Sequence, residues 1–138
     1  MGIRITTPSD APVSRRTSAP DGPVVRLRDV AKIYKTPAGD FTALKDVSFD
    51  LAKGQFATIV GKSGAGKSTL VNVMTGVDTL TGGEIWVNGT AVHALSEDDM
   101  ALWRGRTVGI VYQSFELMPQ LSLLDNVLLP MDLCGLYR

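Results

Sequence analysis

The chain has 138 residues, 44% hydrophobic and 20% charged, a soluble globular composition that excludes wholesale disorder and collagen-like repeats. Its 14 Lys+Arg balance 14 Asp+Glu, so bulk charge offers nothing to a nucleic acid or an anionic membrane, and a polyanion must be met by a local site. Cys134, the single cysteine, excludes an internal disulfide and a cysteine-built zinc site, which fits a reducing, cytosolic compartment. No apolar run approaches the roughly 20 residues of a spanning helix. The amino terminus also lacks the apolar stretch of a signal peptide. Arg15 and Arg16 share their pairing with a twin-arginine export signal, but Thr17 to Pro23 is too polar to follow one, and the pair is read as solvated.

Residues 1–23 hold Pro8, Pro12, Pro20 and Pro23 among Ser, Thr, Asp and Gly, with Ile3, Ile5 and Val13 as large aliphatics. Such a segment buries no core and is expected to be a disordered tail. Val24 to Tyr34 reads as a strand, Thr36 to Asp40 as a turn and Phe41 to Leu44 as the returning strand of a hairpin. Val47, Phe49 and Leu51 alternate with Ser48 and Asp50, predicting a further strand with one buried face that Lys53-Gly54 ends. Gln55 to Val60 carries the run Phe56 to Val60, apolar enough for a strand buried on both faces. Lys67 to Thr75 predicts a helix with Leu70, Val71 and Met74 on one face and Gly76 as its stop. Glu84 to Val87 predicts a strand closed by the hairpin turn Asn88-Gly89. Ser96 and Asp99 form a capping box for a short helix carrying Met100, Leu102 and Trp103 as far as Gly105. Val108 to Tyr112 reads as a buried strand. Ser122 and Asp125 open a last helix through Val127 and Leu128, which Pro130 kinks or ends. There is no internal repeat.

Gly61-Lys62-Ser63-Gly64-Ala65-Gly66-Lys67-Ser68 satisfies G-x-x-x-x-G-K-[ST] in full, between a predicted buried strand and a predicted helix, the context the motif requires. Glycines let the backbone fold round a phosphate with its N–H groups turned inward, and the helix amino terminus adds a favourable dipole. Lys67 is placed to neutralise the outer phosphates, and Ser68 offers Mg²⁺ a hard oxygen. The bland alternative, a glycine-rich turn that binds nothing, does not account for the flanking strand and helix.

A phosphate loop alone suits small-molecule kinases, GTPases, helicases and transport ATPases alike. Here Ala43-Leu44-Lys45-Asp46-Val47-Ser48-Phe49 before the loop and Val108 to Pro119 after it resemble the ATP-binding subunit of ABC transporters. Within that family the chain looks most like the macrolide-export and lipoprotein-release branch, because Leu121 to Pro130 is similar to its T-x-x-E-N-V-x-L-P stretch. The resemblance covers about Val24 to Met131. It implies an α/β P-loop NTPase core of ABC type with an antiparallel β subdomain over residues 24–138, the helical subdomain starting at about 114.

The resemblance also assigns roles. It implies that ATP lies on Gly61, Lys62, Ser63, Gly64, Ala65, Gly66, Lys67, Ser68 and Thr69, with Tyr34 stacking on adenine. The flat phenol face suits that role, and an ordinary half-buried strand tyrosine is the plainer reading. Gln113 matches the family's glutamine that contacts Mg²⁺ beside Ser68, helps place the attacking water with Lys67 as the other catalytic group, and hinges the helical subdomain. As the end of a buried strand its amide would need partners. Ser114 to Gln120 would touch a membrane permease, unless it is an ordinary surface loop. A second copy of the chain would complete the site. The implied location is cytoplasmic, peripheral on the inner face of the plasma membrane through the permease, with no membrane span of its own and no nucleic-acid partner. The implied reaction is ATP hydrolysis to ADP and phosphate, coupled to export or to extrusion of lipid, lipoprotein or peptide.

Two motifs are set aside. Leu80-Thr81-Gly82-Gly83-Glu84 looks like the family's L-S-G-G-Q signature but precedes the glutamine and leads into a strand, so it reads as a plain turn. His93, the one histidine, is read as a surface or packing residue. The family pattern should continue past Gln113 with the signature, an apolar strand ending in Asp-Glu, and a distal histidine. None is present: Glu97-Asp98-Asp99 follows Ser96 in a capping box rather than a strand. The glutamate would be the general base and the aspartate a holder of Mg²⁺. The expectation is therefore an amino-terminal part of the domain, cut before the signature and Walker B motifs, with unpaired strand edges. A nucleotide-binding or regulatory module that docks ATP without turnover is the alternative. Phosphotransfer to a small molecule would need a substrate lid and a second basic cluster, which the sequence does not offer.

Overall fold

A computed structural model describes residues 3–7, 22–114 and 117–135. In chain order its elements are β1 (Arg4–Thr6), β2 (Val25–Thr36), β3 (Gly39–Leu51), β4 (Thr58–Val60), α1 (Lys67–Met74), β5 (Gly82–Val87) and β6 (Thr90–Ala91), then a 3-10 turn (Val92–Ala94), α2 (Glu97–Thr107) and α3 (Leu123–Leu133). The described residues divide into two units, one ending at Ala94 and the other beginning at Leu95.

The first unit is built on an antiparallel sheet in the order β3-β2-β5-β6, with β1 and β4 as a separate pair. β2 and β3 are joined at Pro37-Ala38 and pair from Thr36↔Gly39 to Val25↔Leu51. The predicted short return strand and the separate strand through Phe49 are thus one continuous β3. The interruption read at Lys45-Asp46 is a bulge: Asp46 takes a left-handed φ of 49°, which absorbs an extra residue between the pairs Val30↔Val47 and Lys32↔Leu44. Asp29 makes a matching bulge on β2, also at φ 49°, and its amide donates to Ser48 Oγ at 2.7 Å. Gly83 crosses this bulge so closely that a Cβ would strike the carbonyl oxygens of Arg28 and Asp29. Gly82 and Gly83 of the signature-like run therefore lie within β5 and serve its packing on β2, so that part of the run is strand rather than the plain turn expected. Asn88 and Gly89, both at positive φ, close the β5–β6 hairpin in the way Asn-Gly predicts.

Leu27, Val30, Leu44, Leu70, Val73, Ile85 and Val92 are buried and form the core of this unit. Helix α1 contributes Leu70 and Val73, and it ends one residue before Thr75, whose hydroxyl donates back to the Val71 carbonyl at 2.8 Å. β4 is shorter and more open than expected. Phe56 is 74% exposed, and Val60 is also exposed, because among the described residues this strand has one short partner and no apolar layer on both faces. That partner is β1, in the register Arg4↔Val60 to Thr6↔Thr58. Residues 4–6 thus depart from the expected disordered tail: Ile3 and Ile5 alternate with Arg4 and Thr6, a strand pattern that an open β4 edge can take up. Residues 1–2 and 8–21 of the tail lie outside the described residues.

In the second unit both predicted caps form. Ser96 Oγ accepts the Asp99 N–H at 3.2 Å and Ser122 Oγ accepts the Asp125 N–H at 3.1 Å. Helix α2 continues past the expected stop at Gly105 to Thr107. There a Cβ on Gly105 would collide with Cys134 Sγ, so this glycine makes room for the end of α3 rather than ending α2. Pro130 does not end α3, which runs on to Leu133; the Pro130 carbonyl still accepts the Cys134 N–H at 3.2 Å. The expected buried strand at Val108 to Tyr112 is absent. Val108 is extended, but Val111 is fully exposed, and no strand among the described residues pairs with this run. No described helix is long and apolar enough to cross a membrane.

Candidate functional site

The loop between β4 and α1 is shaped by its glycines. Gly64 and Gly66 lie at φ 77° and 88°, where other residues are strained, and the Ala65 N–H donates to the Lys62 carbonyl at 3.1 Å. A Cβ on Gly66 would run into the Ala43 carbonyl oxygen and approach Leu44 Cδ2 to 3.1 Å, so the glycine lets the loop lie directly against β3. Gly66 is also the cap residue of α1 and supplies no side-chain acceptor. The first helical bond is Leu70 N–H to Gly66 O at 2.8 Å, so the N–H groups of Lys67, Ser68 and Thr69 have no intrahelical acceptor. An anion is the natural partner for three such donors at the positive end of a helix.

Lys67 folds back over this loop. Its Nζ donates to the carbonyls of Gly61 and Lys62, each at 2.8 Å, which parks one ammonium at the mouth of the cradle. A cavity of about 300 Å³ opens there, lined by Ser63, Gly64, Gly66 and the first turn of α1 on one side and by Phe41 and Ala43 of β3 on the other. Inward amides, a lysine, an exposed Ser68 hydroxyl and a cradle that a Cβ would fill fit a phosphate chain carrying Mg²⁺.

Tyr34 belongs to the same unit and is half-buried. Its hydroxyl donates to Asp78 Oδ2 at 2.6 Å. Lys32, 8% exposed, donates to Asp78 Oδ1 at 2.6 Å and to the Thr79 carbonyl at 2.5 Å, with Nζ lying 4.8 Å from the Tyr34 ring centroid, over the ring. The bond to Asp78 raises the Tyr34 pKa, and burial adds to it. Burial works against the charge of Asp78, but the hydrogen bonds from Lys32, Tyr34 and the Thr79 amide outweigh it and hold its pKa below the ordinary value.

Phe41, on the cavity wall, and Asp78, the partner of Tyr34, are residues that sequence reasoning missed. Phe41 pairs directly with Tyr34 across the hairpin, so the two side chains share a face, and counting outward from Pro37-Ala38 would have found it. Asp78 sits in a turn with no motif of its own. His93 packs as expected: its ring meets Trp86 edge-on at 5.7 Å and its Nδ1 lies 3.2 Å from the Ile85 amide.

The loop, Lys67, Ser68, Thr69 and Tyr34 all belong to the first unit, with Phe41 rather than Tyr34 on the cavity wall, whereas Gln113 belongs to the second unit, in an exposed bend. The expectation that its amide would close a buried strand is not met, because the strand itself does not form. Of the segment Ser114 to Gln120, Phe115 and Glu116 lie outside the described residues. The rest is organised by Asn126, whose Oδ1 accepts the Met118 N–H at 2.8 Å and whose Nδ2 donates to the carbonyls of Met118, Leu121 and Ser122 at 3.0 to 3.2 Å.

Comparison with known proteins agrees with this geometry. The family model described as ABC transporter matches residues 44–135. The lipoprotein-releasing system ATP-binding protein LolD of Saccharophagus degradans is 38% identical over 116 residues, 84% of this chain and 51% of that protein. The methionine import ATP-binding protein MetN of Latilactobacillus sakei is 38% identical over 112 residues, 81% of this chain and 32% of that protein. A solved dimeric structure of the ATP-binding cassette MJ0796, in a post-hydrolysis state bound to ADP and Pi, superposes with a TM-score of 0.74 at 36% identity, covering 83% of this chain and 48% of that one. The chain spans about half the length of LolD and less of MetN. The fold is the α/β P-loop NTPase core of ABC-type ATPases, with its antiparallel β subdomain.

Proposed function

We infer the function from the family to which this chain belongs, the ATP-binding domains of ABC transporters. The chain binds MgATP on the Gly61–Thr69 loop and serves a transporter complex in which binding and hydrolysis of ATP drive a membrane permease. The observation that carries this reading is the cradle itself: three helix-terminal amides, the Lys67 ammonium and the Gly66 contact with β3 converge on one cavity. The amides of Lys67, Ser68 and Thr69 hold the phosphates in register, and Lys67 exchanges its loop carbonyls for phosphate oxygens. Mg²⁺, when bound, neutralises charge on the outer phosphates, and the Ser68 hydroxyl is the side-chain oxygen offered to it from this unit. Tyr34 supplies a flat face for adenine.

Gln113 is proposed as the second contact to Mg²⁺ and to the attacking water, and residues 114–120 as the surface offered to the permease. A second copy of the chain completes the site, a reading supported by the dimeric form of MJ0796. The location is cytoplasmic, at the membrane through the permease. The export and lipoprotein-release branch is supported by the Leu121–Pro130 stretch and by the likeness to LolD. The alternative, a module that docks ATP without turnover, is kept because the chain spans about half of such relatives; steady-state phosphate release separates the two.

The binding reading is tested with Lys67→Ala. ATP affinity, measured by equilibrium titration with Mg²⁺ present, is expected to fall at least about tenfold, the scale of a lost charge-assisted contact. Unchanged affinity would overturn the role given to Lys67.

A further inference from the structure

The carboxylate that fixes Tyr34 stands at the far end of the helix whose first turn forms the phosphate cradle. Val77 and Asp78 are held there by their N–H groups, both donating to the Asn72 carbonyl, at 2.9 and 3.2 Å. From this turn Asp78 reaches Tyr34 Oη through Oδ2, while Oδ1 takes Lys32 Nζ and the Thr79 amide, the latter at 2.8 Å. Lys32 covers one face of the phenol ring, so a stacking base would have to take the other. An untied tyrosine on a strand would keep its rotamer freedom and give up part of it on each binding event; a tied one has given it up on folding.

We propose that Asp78 and Lys32 are positioning residues for the nucleobase: they clamp the Tyr34 ring at a fixed height above the phosphate cradle, with α1 setting the spacing between base and phosphates. This rests on the reading of Tyr34 as the base-stacking residue. It goes beyond that reading by stating what holds the ring and by predicting that the hydroxyl, which no stacking contact uses, contributes to base affinity. A clamp of this kind acts on the base and leaves the phosphates untouched. It therefore separates from a general loss of structure by comparing ATP with tripolyphosphate, which has the phosphates and no base.

The test titrates the 138-residue chain with ATP and with tripolyphosphate, both with Mg²⁺. Tyr34→Phe keeps the ring, frees it from Asp78 and leaves the Lys32–Asp78 pair intact. It is expected to weaken ATP about threefold to tenfold, the cost of ordering one freed side chain on binding, and to leave tripolyphosphate unchanged. The double variant Lys32→Met with Asp78→Leu removes the clamp without stranding a buried charge, and should give the same selective loss. Tyr34→Ala decides the underlying reading. If it leaves the preference for ATP over tripolyphosphate intact, stacking on Tyr34 is wrong and the clamp falls with it. If Tyr34→Ala abolishes the preference while Tyr34→Phe and the double variant match the parent, stacking stands and the clamp is overturned. Equal weakening of both ligands would mark Asp78 and Lys32 as structural and would also overturn the proposal.

Discussion

Gly66 and Gly64 form a natural experiment within one loop. Both have positive φ, 88° and 77°, so Gly66→Ala and Gly64→Ala each carry the left-handed penalty of about 1–2 kcal/mol. They differ in surroundings. Nothing lies within 4 Å of a Cβ built on Gly64, whereas one on Gly66 meets the Ala43 carbonyl oxygen, a backbone atom of β3 that cannot swing aside. Relieving that contact means pushing the loop off β3, an overpacking cost of about 1–3 kcal/mol, for a total of about 2–5 kcal/mol at Gly66. Urea unfolding followed by circular dichroism should therefore place the Gly66→Ala midpoint below that of Gly64→Ala by about 1 M, with a slope of about 1–3 kcal/mol per molar. Because the displaced residue caps α1, Gly66→Ala should also lose ATP affinity by more than Gly64→Ala. Equal destabilisation of the two variants would refute the claim that contact with β3 fixes the loop.

Asn126→Ala removes four hydrogen bonds to the backbone of residues 118–122. Their exposure limits the cost to about 1–2 kcal/mol, but amide hydrogen exchange at Met118 should accelerate while exchange in β2 and β5 stays unchanged; an unchanged Met118 rate would deny Asn126 its anchoring role. Asp78 has a folded pKa below its ordinary value of 3.8, so its contribution to stability is present above that pH and is lost as the pH falls below it through the depressed folded value. Acid unfolding of the parent and of the double variant Lys32→Met with Asp78→Leu should consequently converge below about pH 4, and a gap that is independent of pH would contradict the pairing.

What was legible in the sequence was local. The loop is a contiguous motif whose flanking strand and helix are read from the same twenty residues or so. The caps at Ser96 and Ser122 and the Asn88-Gly89 turn each need three or four neighbours in sequence, and each forms as read. The misreadings concern neighbours far along the chain. Phe56 and Val111 look like buried strand residues because apolar runs usually find a covering layer, and none covers them among the described residues. Asp29 and Asp46 hide their bulges because a left-handed aspartate leaves no mark in hydrophobic periodicity. Tyr34 is singled out by resemblance alone, and its tie to Asp78 joins residues 44 apart in sequence, a separation that no spacing rule addresses.

The balanced composition takes on a different meaning at this site. A net charge of zero leaves a polyanion only a local site, and the cradle's donors are mostly backbone N–H groups, which formal charge does not count. Lys67 adds one ammonium, already seated on two carbonyls, and β3 blocks any side chain at Gly66 that would fill the space. Anion recognition of this type depends on the conformation of a few residues and on the strand behind them. It can therefore be lost by adding a single methyl group that changes no charge at all, which is why the glycine comparison bears more directly on the site than charge removal at the surface.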